Sequence, residues 1–259
     1  MNRLYEQKVG RGINIPELHT FLETAQTLGY DFIEYSEAPN SARFIIMRHD
    51  IDLEPLHALE VASAQADHGV SATYFFMLRN PMYNLMSLNC MKSIEALISM
   101  GHNIALHFDV SFYGDISGEC LVERISEELM TLHRIAGPSN TSKCVSFHKP
   151  NKYLLENEVA TPLFFSAYNR TFFKDIRYIA DSCGNWREQS IIELIKSQLE
   201  PKIQFTSHPI WWTMKGATVG DRLQAYLKLR RHALETDLAN TSNDTSRGII
   251  LHEPPSPLE

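Results

Sequence analysis

Cysteine is scarce in this sequence, and its placement excludes more than it offers. Cys90, Cys120, Cys144 and Cys183 stand far apart with no CxxC pair among them, so neither a disulfide framework nor a cysteine nucleophile is expected. No uninterrupted apolar stretch approaches the ~20 residues that span a bilayer. The first residues, MNRLYEQK, hold no apolar core of a secretory signal, and the expectation is a cytoplasmic protein with reduced thiols. There is no Gly/Ser/Pro-rich linker, charge block, internal repeat or low-complexity tract. Basic residues are few as well: 24 Lys and Arg against 31 Asp and Glu leave a net charge of -7. They are scattered rather than clustered, which argues against a nucleic acid or an anionic membrane as partner. With 44% hydrophobic and 21% charged residues, the chain is expected to form one globular domain over residues 1–259 with a substantial core.

Helical and strand patterns alternate along the chain. Leu18, Phe21, Leu22, Ala25 and Leu28 share one face of a helix over 15–29, which Asn14 caps and Gly29 follows. Further helices are expected over about 55–67, 91–100, 121–135, 189–199 and 219–238. Strand-length apolar runs fall at 44–51, 70–78, 103–107, 143–148, 176–181 and 202–207, with a possible seventh at 249–251. The segment 151–174 shows no period and reads as irregular chain or short helix. Strands joined by helical crossovers give a mainly parallel sheet, open or closed into a barrel. The core is expected over about 43–212, with helices 15–29 and 219–238 packed on it.

The chemistry gathers at strand ends. Phe44-Ile-Ile-Met-Arg-His-Asp-Ile-Asp52 is an apolar run that stops in two carboxylates. At i, i+2 on an extended strand, Asp50 and Asp52 share one face. Two like charges so close need a cation between them or a retained proton. The other strand-end polar groups are His107 and Asp109, then His148, Asp181 and His208. In parallel α/β folds the reactive groups sit at the carboxyl ends of strands, so these five points are expected to converge. Two Asp and two or three His suit a divalent metal such as Zn²⁺ with an open position for water. A carboxylate outside the metal shell can take the water's proton, and an imidazole opposite can protonate a leaving group. That chemistry is hydrolysis of an amide or ester.

In order and content, Arg48-His-Asp-Ile-Asp52, Gly101-His-Asn-Ile-Ala-Leu-His107, Phe147-His-Lys-Pro150, Asp181-Ser-Cys-Gly-Asn-Trp186 and Thr206-Ser-His-Pro209 resemble the motifs of polysaccharide deacetylases. These are the NodB-homology enzymes of carbohydrate esterase family four. The resemblance runs from about 44 to 212. It implies a distorted (β/α) barrel of about six to seven parallel strands, and metal-dependent removal of acetyl groups from N-acetylated sugars. By this resemblance Asp50 is the catalytic base and Asp52 a metal ligand. His107 is the first metal-binding His, His208 the catalytic acid and Asp181 the carboxylate that tunes it. Trp186, with Trp211 and Trp212, would form an apolar wall for the acetyl methyl or sugar face, although Trp211 and Trp212, which follow a proline, also read as core. Apart from the resemblance, Tyr113 lies in the loop beyond His107, where it either reaches substrate or packs.

Two positions depart from the family. Its second metal-binding His lies four residues after the first, where this chain has Ser111; position 148 is His where the family usually has an Arg beside the base. His148 is the expected third ligand, with Asp109 or a water as the weaker substitute, and Arg187 or Arg48 takes over the pairing with Asp50. The substrate implied is a sugar or glycan precursor of surface-polysaccharide or lipopolysaccharide biosynthesis. The altered second motif keeps two alternatives open: a metal-independent C–N hydrolase on the same barrel, and a non-catalytic sugar-binding relative. His102 and His49 are expected to be structural, His49 on the face opposite Asp50, and Ser182 to be a turn residue.

Overall fold

A computed structural model describes residues 3–186 and 189–241. The described residues form two compact units, Lys8–Thr213 and a smaller one drawn from those before Lys8 and after Thr213. The smaller unit holds helices α1 (Arg3–Glu6) and α11 (Val219–Thr241), joined where Val219 N–H donates to the Gln7 carbonyl at 2.9 Å. A Cβ at position 220 would meet the Tyr5 carbonyl oxygen at 2.7 Å, so only Gly220 permits that approach.

The larger unit is an α/β open barrel. Its strands are β1 (Asp31–Phe32), β2 (Phe44–Ile51), β3 (Thr73–Phe76), β4 (Asn103–Asp109), β5 (Thr141–His148), β6 (Phe165–Ser166), β7 (Arg177–Ala180) and β8 (Lys202–Ser207). They pair in parallel in the order β6-β5-β4-β3-β2-β8-β7, with β1 beside the start of β2. Its helices are α2 (Ile15–Thr27), α3 (Ala58–Asp67), α4 (Leu88–Ser99), α5 (Val110–Tyr113), α6 (Gly118–Ala136), α7 (Lys152–Glu156), α8 (Arg170–Phe173), α9 (Ile191–Ser197) and α10 (Pro209–Thr213). The expected α/β architecture of parallel strands is found, and so are all six strands read inside 44–207. Two very short strands, β1 and β6, were not legible. The helix expected from 91 begins at Leu88 because Ser87 caps it, accepting from Cys90 N–H. The possible strand at 249–251 lies outside the described residues.

Every residue of β2 is buried, as a parallel strand covered on both faces must be. Its even-numbered residues face inward. Phe44 and Ile46 join Phe75, Ala105 and Cys144 in an apolar plug that Tyr35, Ala167 and Phe172 complete. Above the plug the same faces turn polar, with Arg48 and Asp50 on β2, His107 on β4 and Ser146 on β5. The edge strands β6 and β7 are not paired with each other. Tyr168, Phe173 and Tyr178 pack in series as tilted rings, with centroids 5.2 and 4.9 Å apart.

The outer face of β2 carries a buried polar chain. The His49 ring nitrogens meet Ser207 Oγ and Gln65 Nε2, each at 2.7 Å. The Tyr74 hydroxyl donates to Gln65 Oε1 at 2.6 Å, and the His49 ring stacks on Tyr74 at 4.6 Å. His102 accepts from Ala72 N–H and bonds the Ala62 carbonyl. His49 and Ser207 are register partners one residue before Asp50 and His208, so this chain fixes β2 against β8 where those two side chains emerge. Both histidines are structural, as expected from sequence.

Burial, with His102 nearby, lowers the His49 pKa to about 3. A folded-state value below the unfolded 6.5 means stability is full above pH 6.5 and is lost as pH falls toward 3. The expected slope from this residue is about 1.4 kcal/mol per pH unit in that window. Urea denaturation at several pH values should show it flattened in His49→Gln; an unchanged slope contradicts the assignment.

Candidate active site

The five strand ends converge on one pocket of about 480 Å³, whose lining includes Asp50, Asp52, His107, His148, His208 and Trp211. Asp50, at the inward face of β2, is 4% exposed. Arg48, two residues earlier on the same face and wholly buried, grips it with both arms. Nε donates to Oδ1 and Nη2 to Oδ2, each at 2.8 Å. The guanidinium sits over the Tyr168 ring at 4.9 Å and donates to its hydroxyl at 3.1 Å. Of the two arginines considered for this pairing, Arg48 makes it; Arg187 lies outside the described residues. Burial would raise the Asp50 carboxyl, but Arg48, then His107, holds it below the usual carboxylate range.

Asp52 leaves the end of β2 and meets imidazoles on two other strands. Its Oδ1 lies 3.3 Å from His107 Nε2 and 3.3 Å from His148 Nδ1. The three ligand atoms lie within 4.8 Å of one another, the one such group of three among the described residues. Ser146 Oγ, 2.6 Å from His107 Nδ1, orients that ring so that Nε2 faces the carboxylates. Burial would raise Asp52 too, yet His107, His148 and His208 hold it well below its ordinary value. Oδ1 is buried and has no hydrogen-bond partner. An orphaned carboxylate oxygen facing two ring nitrogens at 3.3 Å suits a shared cation, since tetrahedral bonds of about 2.0–2.1 Å set donors roughly 3.3–3.4 Å apart. Asp109 is not in this group: its Oδ1 accepts from Ser111 N–H and Oγ, at 3.0 and 2.6 Å, and caps α5.

On the far side of Asp52, His208 Nε2 lies 3.7 Å from Oδ2. Its Nδ1 is 2.6 Å from Asp181 Oδ1. Asp181 is fully buried and also accepts from the His208 backbone N–H and from Trp212 Nε1 at 2.7 Å. Burial disfavours the imidazolium, but Asp181, with Asp52 and Asp50, overrides it and pushes His208 up to about 10.

The remaining sequence candidates divide. Trp211 lines the pocket. Trp186 is not among its lining residues; its indole N–H donates to the Arg11 carbonyl at 2.9 Å and its ring lies against Phe205 and Trp212. Tyr113 is also absent from the lining. Its ring stacks on Phe108 and its hydroxyl donates to Glu128 at 2.6 Å. Sequence reasoning missed the wall of Phe147, Tyr168, Phe173 and Tyr178 and the roles of Ser146 and Trp212. Ser146 had a signal, since it lies two residues before His148 on the same strand. Half of the aromatic wall, Tyr168 and Phe173, comes from the segment without a period.

No protein-family model matches the chain, and no curated protein matches it. Solved structures do. The chain is similar to the peptidoglycan deacetylase PdaC of Bacillus subtilis, with 12% identity and TM-score 0.44 over 78% of this chain and 96% of that one. It is similar to the deacetylase PplD of Streptococcus pyogenes, with 11% identity and TM-score 0.46 over 82% and 87%. It is also similar to the chitin deacetylase of the fungus Colletotrichum lindemuthianum, with 13% identity and TM-score 0.41 over 74% and 83%. At these values the likeness carries no functional weight beside the geometry of the site.

Removing one member of a buried ion pair strands the other. Arg48→Leu is expected to cost about 3–5 kcal/mol, read by chemical denaturation. A cost below about 1 kcal/mol would mean that Asp50 is not held by this contact.

Proposed function

We propose that this protein is a metal-dependent hydrolase that removes the acetyl group from an N-acetylated sugar. The observation that carries the reading is Asp52 Oδ1, buried and unpartnered between His107 Nε2 and His148 Nδ1. Asp52, His107 and His148 are the proposed ligands. One carboxylate and two imidazoles suit zinc. A bound divalent cation supplies a Lewis acid for the acetyl carbonyl and a lowered pKa for the attacking water.

The chain's own residues divide the proton work. Asp50, kept ionised by Arg48, accepts the proton of the attacking water as general base. Its Oδ2 lies 3.8 Å from His107 Nε2, next to the ligands without joining them. His208 donates from Nε2 to the departing sugar nitrogen. Asp181 fixes the ring through Nδ1 and favours its charged form, and Trp212 completes the hydrogen bonding of that carboxylate. The two proton-handling groups are thus held in opposite states, one anionic by an arginine and the other cationic by an aspartate. Trp211 and the aromatic wall offer faces for the acetyl methyl and the sugar ring. A precursor of surface polysaccharide or lipopolysaccharide, processed in the cytoplasm, is the substrate this reading favours.

Metal analysis of the purified protein, joined to acetate release from N-acetylhexosamine compounds, tests it. About one zinc or other divalent ion per chain is expected, with activity lost to a chelator. Asp50→Asn should lower acetate release by about 10²–10⁴-fold with metal retained, whereas His148→Ala should lose the metal. Acetate release from metal-free protein, or metal retained in His148→Ala, would overturn the ligand assignment.

A further inference from the structure

The pocket carries one charge that the proposed reaction leaves unused. Phe147, His148, Lys149 and Pro150 all line it, which a regular strand cannot do, because successive side chains point to opposite faces. β5 ends at His148, and the chain turns at Lys149, whose φ is +48°. A left-handed backbone is unfavourable for lysine, and the residue before a proline is further restricted toward extended conformations. Such strain persists where surrounding structure holds it, and it concentrates at functional positions. Here it leaves Lys149 exposed among the residues that line the pocket, next to His148.

Charge accounting points the same way. Asp50 and Asp52 are the only carboxylates among the lining residues. Asp50 is gripped by Arg48, and Asp52 faces His107 and His148. Asp109, the register partner of His148 on β4, is occupied with Ser111 N–H and Oγ. Lys149 is exposed and has no ion-pair partner among the described residues. A chain of net charge -7 therefore presents an uncompensated cation at the edge of its proposed catalytic pocket.

We infer that the substrate is an N-acetylated sugar bearing an anionic group, phosphate or carboxylate, and that Lys149 receives that group at the pocket rim. This rests on the deacetylase reading for the reaction, while the recognition itself is a separate property. It selects charged precursors over neutral sugars.

The test compares N-acetylglucosamine with its 1-phosphate and with the corresponding N-acetylated uronic acid. Acetate release and calorimetric binding are measured for the wild type, Lys149→Asn, Lys149→Arg and Lys149→Glu. Asn accepts a left-handed backbone, so the thermal midpoint of Lys149→Asn is not expected to fall. The wild type should prefer a charged compound by about tenfold or more in kcat/KM, the worth of one charge-assisted contact, with the preference shrinking as salt rises. The charged-to-neutral ratio should approach one in Lys149→Asn, persist in Lys149→Arg and invert in Lys149→Glu. The two charged compounds separate phosphate from carboxylate recognition. Equal handling of charged and neutral compounds by the wild type, or a preference surviving in Lys149→Asn, overturns the inference. No acetate from any compound contradicts the deacetylase reading instead, and the binding ratios then decide the role of Lys149 by the same criteria.

Discussion

Two carboxylates two residues apart on one strand face repel each other, and the site is built around that constraint. Asp50 and Asp52 cannot both stay ionised at the buried end of β2 unless each has its own cationic environment. They are served differently. Asp50 is met from below by Arg48 on the same strand, in a bidentate contact roofed by Tyr168. Asp52 is met from the side by imidazoles on β4, β5 and the end of β8. This division separates Asp50, the proposed base, from Asp52, the proposed ligand, though the two come from the same short run.

The barrel interior makes the division possible. Phe44, Ile46, Phe75, Ala105 and Cys144 fill the lower layer with apolar bulk, and the polar groups occupy the next layer up on the same inward faces. Behind the sheet, His49 and Ser207 tie β2 to β8 one residue before Asp50 and His208. The catalytic candidates are thus set by strands whose own positions are fixed from both faces. A buried His49 held neutral belongs to the frame, and the imidazole at 208, held charged by Asp181, is the proposed acid. The same residue type takes opposite states because burial and the neighbouring His102 hold one neutral, while the Asp181 carboxylate overrides burial at the other.

Much of this was legible in the chain. The period-two parity of Arg48, Asp50 and Asp52 predicts a shared face, and the recurrence of Asp and His at strand ends predicts their convergence. Ser111 in place of a histidine signalled that a ligand must come from elsewhere, and His148 is where the structure offers one. What stayed hidden was hidden for physical reasons. β6 has two residues and α8 four, too few to show a period, so the Tyr168 and Phe173 wall had no signature. Trp212 reads as core from its neighbours, and only the fold reveals its N–H on Asp181. Lys149 falls just past the end of β5, at a left-handed turn, so strand parity could not place it at the pocket. Trp186 and Tyr113 carry aromatic rings suited to a sugar, but their polar atoms are spent on Arg11 and Glu128.

The central claim is that the unpartnered oxygen of Asp52 and the two nitrogens facing it share one cation. Anomalous diffraction from zinc-loaded crystals, collected on either side of the zinc edge, addresses it directly. The account predicts a single strong peak about 2.0–2.2 Å from Asp52 Oδ1, His107 Nε2 and His148 Nδ1, with Asp50 still in the grip of Arg48. A peak elsewhere, or none between these three atoms, would contradict it.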